Sequence, residues 1–355
     1  MDIKEYKMCD IISFKTGIDK NNINSFNSIN SLPWIKLGNI NEHNVNYDSC
    51  EYLSDTKNIV IKGDILLVWS CDIGKSIIIN DKSLFSTAFY KLVPKKDNIY
   101  LNKYIHYFFI KNKKEIGSLG NGSVLKKANM KILGNFILKL PNISVQQSII
   151  DIIEPFDLEM SIRIKKNNLY LKFIKNSFFT NENEKLFLSN IIIPTKDAKI
   201  ENCNEVIDLS SINSDSVTFF NFKKTNDFSS NIFSTRENDI FISSIRPNLK
   251  KYGITAENKN ILGTLFNFRP INQIDRGFIL YCLSSNDFQN FLIQISEGTK
   301  MPIIKWAKFK NYEFLTASIN EKNILNIFFD LIKNNNKILK ILEKIKINLI
   351  EIFIK

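Results

Sequence analysis

The chain has 355 residues, 44% of them apolar and 24% charged, so it can form two globular domains and is not a disordered protein. Its 48 basic and 36 acidic side chains give a net charge of +12, which favours a polyanionic partner, although an AT-rich genome would also enrich lysine. The five cysteines form no CxxC pair and no apolar run reaches membrane-spanning length, so we expect a cytoplasmic protein without disulfides, a zinc finger or a membrane span.

Short strands are predicted at the beginning of the chain. Residues 34–40 and 64–69 are rich in branched side chains and are bounded by Asn, Gly and Asp. Residues 76–79 and 88–93 continue this pattern. A helix follows, because five apolar residues lie on one helical face: Leu101, Tyr104, Ile105, Phe108 and Phe109.

A polar loop, a strand and a long helix complete the first half. The loop covers residues 117–127, and the strand covers residues 136–141. From residue 145 to about residue 178 the apolar spacing is helical, and we expect one face of this helix to form a coiled coil through Ile149, Ile153 and Phe156.

The second half repeats this plan at an offset of 175 or 176 residues. Asp239 corresponds to Asp64 (239 − 64 = 175), and Pro270 corresponds to Pro94 (270 − 94 = 176). Order and spacing are kept although identity is low. The sequence therefore predicts a pseudo-twofold internal repeat.

The last helix of the second copy has a heptad pattern. Apolar residues recur at intervals of seven, which is typical of a coiled-coil seam: Ile324, Leu331, Ile338, Ile345 and Ile352. Asn334, Asn335 and Asn336 interrupt the seam, and buried Asn often fixes the register of such helices. We expect the two long helices to pair in antiparallel orientation.

These elements predict an α+β fold with two similar α/β domains and two long helices that form an antiparallel coiled coil. The predicted boundaries are residues 1–144 for the first domain and 145–180 for a central helical spacer. The second domain is predicted at residues 181–319 and a distal helical spacer at 320–355.

Catalytic patterns are weak. His43 and His106 have no ligand or triad partner at a suitable spacing, and His106 is predicted to pack within an aromatic helix. Residues 74–76 resemble the end of a phosphate-binding loop, but the required upstream glycine is replaced by Trp69. Asp239 with residues 257–259 loosely resembles a metal-nuclease spacing. We expect no catalytic residue, cofactor site or metal site in this chain.

Polar loops at equivalent places in the two copies are suited to DNA. Lysines can contact phosphates, whereas Arg246 and Asn248 suit bidentate contacts with guanine and adenine. The candidate DNA-binding residues are Lys75, Ser76, Asn121, Ser123, Lys126, Lys127, Arg246, Asn248, Lys250, Lys251, Thr299, Lys300 and Lys305.

Several segments together resemble the specificity (S) subunit of type I restriction–modification systems over the whole chain. They are residues 34–40, 62–67, 140–147 and 297–306, and residues 140–147 (Leu-Pro-Asn-Ile-Ser-Val-Gln-Gln) are the most specific. The second copy lacks that Pro and the Gln pair at residues 316–323, and it has Asn238 where the first copy has Gly63.

The resemblance implies a non-catalytic reader of double-stranded DNA. Each recognition domain would read half of a bipartite, asymmetric target. The helices would act as a spacer and would dock two modification (methyltransferase) subunits, with restriction (endonuclease) subunits as possible further partners. S-adenosylmethionine and ATP would bind the partner subunits.

Two other functions are compatible with the sequence. One is a stand-alone nuclease or methyltransferase that depends on Asp239, Glu257 and Lys259. The other is a coiled-coil interaction protein or decoy without its own DNA specificity.

Overall fold

A computed structural model describes residues 2–20, 31–40, 45, 47, 50–54, 58–96, 98–120, 127–177, 184–217, 222–229 and 231–354. The chain divides into two compact units. Unit 1 comprises Met1–Glu159 and Lys344–Lys355, and unit 2 comprises Met160–Glu343. The helices α4 (Ile143–Lys175) and α8 (Ile319–Phe353) each contribute residues to both units.

Unit 1 contains three sheets and the helices packed on them. Its elements before α4 are β1 Ile3–Lys7, α1 Met8–Ile11, β2 Ile12–Thr16, β3 Leu32–Ile35, β4 Glu51–Leu53, β5 Ile59–Val60, β6 Ile65–Val68, β7 Ser76–Ile78, β8 Ser83–Phe85, β9 Phe89–Pro94, α2 Asn102–Ser118, α3 Met130–Gly134 and β10 Ile137–Pro141.

Unit 2 repeats these elements between α4 and α8. They are β11 Lys185–Phe187, β12 Ile192–Thr195, β13 Glu205–Ile207, β14 Lys223–Lys224, β15 Ile232–Thr235, β16 Ile240–Ser243, β17 Tyr252–Ile254, β18 Lys259–Leu262, β19 Leu265–Pro270, α5 Arg276–Ser284, α6 Asn286–Gln294, α7 Trp306–Phe309 and β20 Glu313–Leu315.

The strand orders of the two units correspond one for one. Unit 1 has the orders β2-β9-β6-β7, β4-β3-β8-β5 and β1-β10, and unit 2 has β12-β19-β16-β17, β14-β13-β18-β15 and β11-β20. In each unit the second of these sheets contains one parallel pair, β3 with β8 or β13 with β18. The predicted α+β fold with two similar units is confirmed.

The main hydrophobic core of each unit lies between its helices and one four-stranded sheet. That sheet is β2-β9-β6-β7 in unit 1 and β12-β19-β16-β17 in unit 2. In unit 1, Tyr104, Ile105, Phe108 and Phe109 of α2 are buried, as their helical spacing predicts. Residues from both long helices complete this core, among them Ile149, Ile153, Ile350 and Ile354. Unit 2 buries aromatic side chains in the corresponding core, among them Phe278, Phe288, Phe309 and Phe329.

A side-chain amide ties each long helix to the preceding helical layer. In unit 1, Gln146 Oε1 accepts from the backbone N–H of Leu101 at 2.9 Å, and Gln146 Nε2 donates to two carbonyl oxygens. In unit 2, Asn326 Oδ1 accepts from the N–H of Gly277 at 2.8 Å. Gly277 corresponds to Leu101 (277 − 101 = 176). Asn326 lies one helical turn after the position in the second copy that is equivalent to Gln146. It makes in unit 2 the bond that Gln146 makes in unit 1, and so replaces the Gln that the second copy lacks.

The two long helices are antiparallel within unit 2. Met160 packs against Leu339, Asn167 bonds to Asn336, and the rings of Phe173 and Phe328 lie 4.3 Å apart. From one contact to the next, the residue number increases on α4 and decreases on α8, as antiparallel helices require.

The heptad period of α8 is correct, but the predicted register is wrong by one residue. Ile324, Leu331, Ile345 and Ile352 are exposed, between 38% and 62%, and Ile338 is half-buried. Most of the buried residues instead follow a 4-3 spacing, with Lys333 and Asn335 buried beside it: Leu325, Phe329, Ile332, Asn336, Leu339, Glu343, Lys346 and Ile350. On α4, Ile149 and Ile153 are buried in the core of unit 1 and Phe156 is half-buried.

Buried polar groups occupy several positions of this seam. Asn167 Nδ2 donates to Asn336 Oδ1 at 2.9 Å, and Asn335 Nδ2 donates to Asn167 Oδ1 at 2.9 Å. Asn336 Nδ2 donates to the Val217 carbonyl at 2.8 Å, and Arg163 donates to Asn335. In unit 1, Lys346 Nζ donates to Asp157 at 2.5 Å. These bonds explain why polar residues are stable at core positions.

Candidate nucleic-acid interface

Two separate loops join to form one surface in each unit. In unit 1, Ser70 in the turn between β6 and β7 forms a backbone bridge with Lys127. In unit 2, Ile245 in the turn between β16 and β17 forms a bridge with Ile303. The bridges are equivalent in the repeat (245 − 70 = 175 and 303 − 127 = 176). The structure thus brings together the two polar loops that the sequence singled out in each copy.

A second backbone bond repeats at the same place. The N–H of Ala128 donates to the Trp69 carbonyl at 2.9 Å, and the N–H of Ile304 donates to the Ser244 carbonyl at 2.9 Å. Each turn is therefore attached to its neighbouring loop at two points, which limits its movement.

The turn of unit 2 presents two of the predicted residues to solvent. Arg246 and Asn248 are exposed, and the N–H of Arg246 donates to the Pro302 carbonyl at 2.7 Å. Lys250 is half-buried and its carbonyl accepts from the N–H of Asp215. On the adjoining loop, Thr299, Lys300 and Lys305 are exposed.

An exposed carboxylate organises the lysines of this loop. Glu297 lies 2.9 Å from Lys305 Nζ and 2.5 Å from Lys308 Nζ. Hydrogen bonds from Lys308 and Lys305 lower the pKa of Glu297 to about 2. The carboxylate therefore stays ionised at neutral pH and holds both ammonium groups on one side of the loop.

In unit 1 the predicted residues are less completely described. Lys127 is exposed, and its Nζ lies 5.8 Å from the centre of the Trp69 ring. Lys75 is largely buried, with its Nζ 4.0 Å from Asp72. Asn121, Ser123 and Lys126 lie outside the described residues.

Two predicted residues point into the protein. Ser76 is buried, and its Oγ lies 2.8 Å from Nδ1 of His106. Lys251 Nζ donates to the Leu209 carbonyl at 2.6 Å, and burial lowers the pKa of this lysine. Ser76 is the first residue of β7 and Lys251 directly precedes β17, and because both side chains face the interior they are not part of the candidate surface.

Sequence reasoning missed the aromatic side chain beside this surface in unit 1. Trp69 stacks on Tyr90, with ring centres 5.3 Å apart, and its Nε1 donates to the Thr87 carbonyl at 2.7 Å. The position of Trp69, at the end of a predicted strand beside a predicted DNA-binding loop, was the available signal.

The residues of the loose nuclease pattern have structural partners. Asp239 is 1% exposed and bonds to Arg269, Asn267 and the N–H of Arg236. Glu257 lies 2.6 Å from Lys340 of α8 and 3.6 Å from Lys259. In the described part of the chain, no three His, Cys, Asp or Glu side chains could together hold a metal ion.

The long helices also expose many apolar side chains. In addition to the displaced seam residues, Leu158, Leu169, Ile327 and Ile341 are exposed by 57% to 65%. No helix among the described residues is both long and apolar enough to cross a bilayer.

Comparisons with known proteins agree with this architecture. Residues 1–171 match a family model described as the type I restriction modification DNA specificity domain. The crystal structure of a type I restriction–modification S subunit from M. genitalium aligns with a TM-score of 0.50 at 13% identity, covering 100% of this chain and 96% of that chain. The HsdS subunit from Thermoanaerobacter tengcongensis aligns with a TM-score of 0.37 at 11% identity, covering 99% of this chain and 96% of that chain. No curated protein matches the sequence significantly.

A duplicated α+β unit with paired polar loops and a long helix at its end is the architecture that this chain shares with a solved type I S subunit. Residues 1–171 belong to the type I DNA specificity domain family, and the whole chain has the fold of an S subunit. The resemblance to a type I specificity subunit that the sequence indicated is confirmed by the family model over residues 1–171 and by the fold over the whole chain.

Proposed function

We propose that this chain reads a bipartite, asymmetric target in double-stranded DNA, with one half read by each unit. The observation that carries the proposal is the recurrence, in both units, of a β-turn bridged to a neighbouring basic loop. The backbone bridges are equivalent, whereas the exposed side chains differ: Arg246 and Asn248 in one unit and Cys71 and Asp72 in the other. Two turns with equivalent backbone bridges and different exposed side chains are suited to two different half-sites.

We further propose that α4 and α8 dock two methyltransferase subunits, with restriction subunits as further partners in the cytoplasm. Exposed apolar residues of the long helices support this, because contiguous apolar surface on a soluble protein often marks a protein interface. The methyltransferase would carry S-adenosylmethionine and the catalytic residues.

The test is co-expression of this chain with an N6-adenine methyltransferase subunit of a type I system, followed by methylome sequencing. We expect methylation at a split target when both are present and none with the purified chain alone. Methylation by this chain alone would contradict the proposal.

A binding assay distinguishes the decoy hypothesis. Affinity of the complex for random duplex DNA should fall steeply with salt, because lysine–phosphate contacts release counterions. Affinity that is negligible at low salt would favour an interaction protein without DNA specificity.

A further inference from the structure

We infer that the turn between β16 and β17 is a base-reading element, in which Arg246 reads a guanine and Asn248 reads an adjacent adenine of one half-site. This inference rests on the proposed function and identifies the bases that unit 2 recognises.

The chain has 48 basic residues but only five arginines, so lysine is its default cation. Four of the arginines have partners within unit 2. Arg163 bonds to Asn335, Arg236 pairs with Asp197, Arg269 pairs with Asp197 and Asp239, and Arg276 pairs with Asp330. Arg236 and Arg246 are both exposed, but only the guanidinium of Arg246 has no acceptor among the described residues.

The backbone holds Arg246 in an unusual conformation. Its φ is +50°, in the left-handed region that residues with a side chain seldom adopt. The bond to Pro302 and the following Pro247 fix this corner, and the turn closes at Lys250, whose φ is +47°. Unit 1 has the same corners, at Cys71 with φ +64° and Gly74 with φ +87°. A strained corner that recurs in both copies indicates a functional constraint on the turn.

The charge and geometry of the exposed side chains in this turn indicate which bases they would contact. A guanidinium on a rigid corner presents two parallel N–H donors, which match the O6 and N7 acceptors of guanine in the major groove. Asn248, exposed two residues later, can pair with N6 and N7 of adenine. The exposed Lys300 and Lys305 nearby suit phosphate contacts. In unit 1 the turn carries Asp72, whose carboxylate lies 2.9 Å from Lys113 Nζ, so that turn offers different chemistry.

The test uses the complex of this chain with its methyltransferase subunits, assayed by methylation of a random duplex library. Arg246→Lys keeps the charge but loses the paired donors, and Arg246→Gly removes the side chain while adopting a positive φ without strain. Both variants should relax discrimination at one guanine position by about 5- to 150-fold and leave the other half-site unchanged. Asn248→Ala should relax an adjacent adenine position.

Lys300→Ala is the matched control. It should weaken binding to all sequences equally and reduce the salt dependence by about one phosphate contact, without relaxing any base. A split target that retains full base discrimination in both Arg246 variants would overturn this inference and leave the proposed function intact. Failure of the unsubstituted complex to methylate any split target would instead contradict the proposed function.

Discussion

Among single residues, His106 is expected to contribute to the pH dependence of the stability of unit 1. Its ring packs beside Tyr107 and its Nδ1 lies 2.8 Å from Ser76 Oγ. Burial, assisted by the charge of Lys346 and opposed by Asp157, lowers the pKa of His106 to about 4. The sequence correctly predicted a packing role for this histidine, but the bond to Ser76 joins residues 30 positions apart and has no local signal.

Lowering the pH should destabilise unit 1 through His106. The unfolded chain binds a proton near pH 6.5 and the folded chain only near pH 4, so this contribution to stability is present above pH 6.5 and is lost as the pH falls from 6.5 to 4. We expect a loss of about 2 kcal/mol between pH 7 and pH 5 in urea unfolding. His106→Asn should reduce this pH dependence, and an unchanged dependence would contradict the assignment.

Gly277 is required where α5 approaches α8. A Cβ at this position would lie 2.3 Å from the carbonyl carbon of Leu325 and 2.5 Å from its oxygen. We expect Gly277→Ala to lower the free energy of unfolding of unit 2 by about 1–3 kcal/mol, because backbone atoms cannot move aside cheaply. Gly117→Ala is the control, since its Cβ would make only an ordinary contact at 3.5 Å. Equal effects of the two substitutions in chemical denaturation would show that the close approach is unimportant.

Among the secondary-structure elements, the long helices show why sequence periodicity gave the right repeat and the wrong register. Isoleucines and leucines recur at sevens on α8, but Asn336, Glu343 and Lys346 take core positions one residue later. Counting apolar residues cannot identify a polar core position, because its stability depends on partners such as Asn167 and Asp157 on the other helix. The bond between Asn167 and Asn336 agrees with the expectation from the sequence that buried Asn fixes the register of the helices.

Asn167→Leu should destabilise the helix pair in unit 2. The substitution leaves Asn335 Nδ2 and Asn336 Oδ1 without their 2.9 Å partners. We expect a loss of about 1–3 kcal/mol in urea unfolding, the cost of an unsatisfied buried amide. Asn334→Leu, at an exposed position next to Asn335, should have little effect. Equal stability of the two variants would contradict a role for the network.

At the scale of the whole molecule, the internal repeat was predictable because offsets are preserved even when residues are not. The equivalence of Ser70–Lys127 and Ile245–Ile303 follows from the same offset of 175 or 176 residues. Strand order was not predictable, because it depends on long-range pairings such as β3 with β8. The inward orientation of Ser76 and Lys251 was not predictable either, because assigning a segment from the sequence does not give the direction of each side chain.

Unit 1 should depend on the final residues of α8. Ile350 and Ile354 lie in its core, and Lys111 Nζ donates to the Ile354 carbonyl at 2.5 Å. Deleting residues 344–355 should increase hydrogen exchange in β2, β6 and β9, because the core would lose buried apolar surface. Unit 2, which ends at Glu343, serves as the internal control. Unchanged protection of the three strands would contradict this dependence.

The division of unit 1 between two distant segments of the chain delays its completion during synthesis. Unit 1 consists of Met1–Glu159 and Lys344–Lys355, so a ribosome must translate all of unit 2 before the first unit can be completed. At common elongation rates of about 5–20 residues per second, the delay is on the order of 10–40 s. During that interval the apolar surface that Ile350 and Ile354 later cover remains open to chaperones. A message truncated within α8 would therefore yield an incomplete unit 1, although every codon of its loops had been translated.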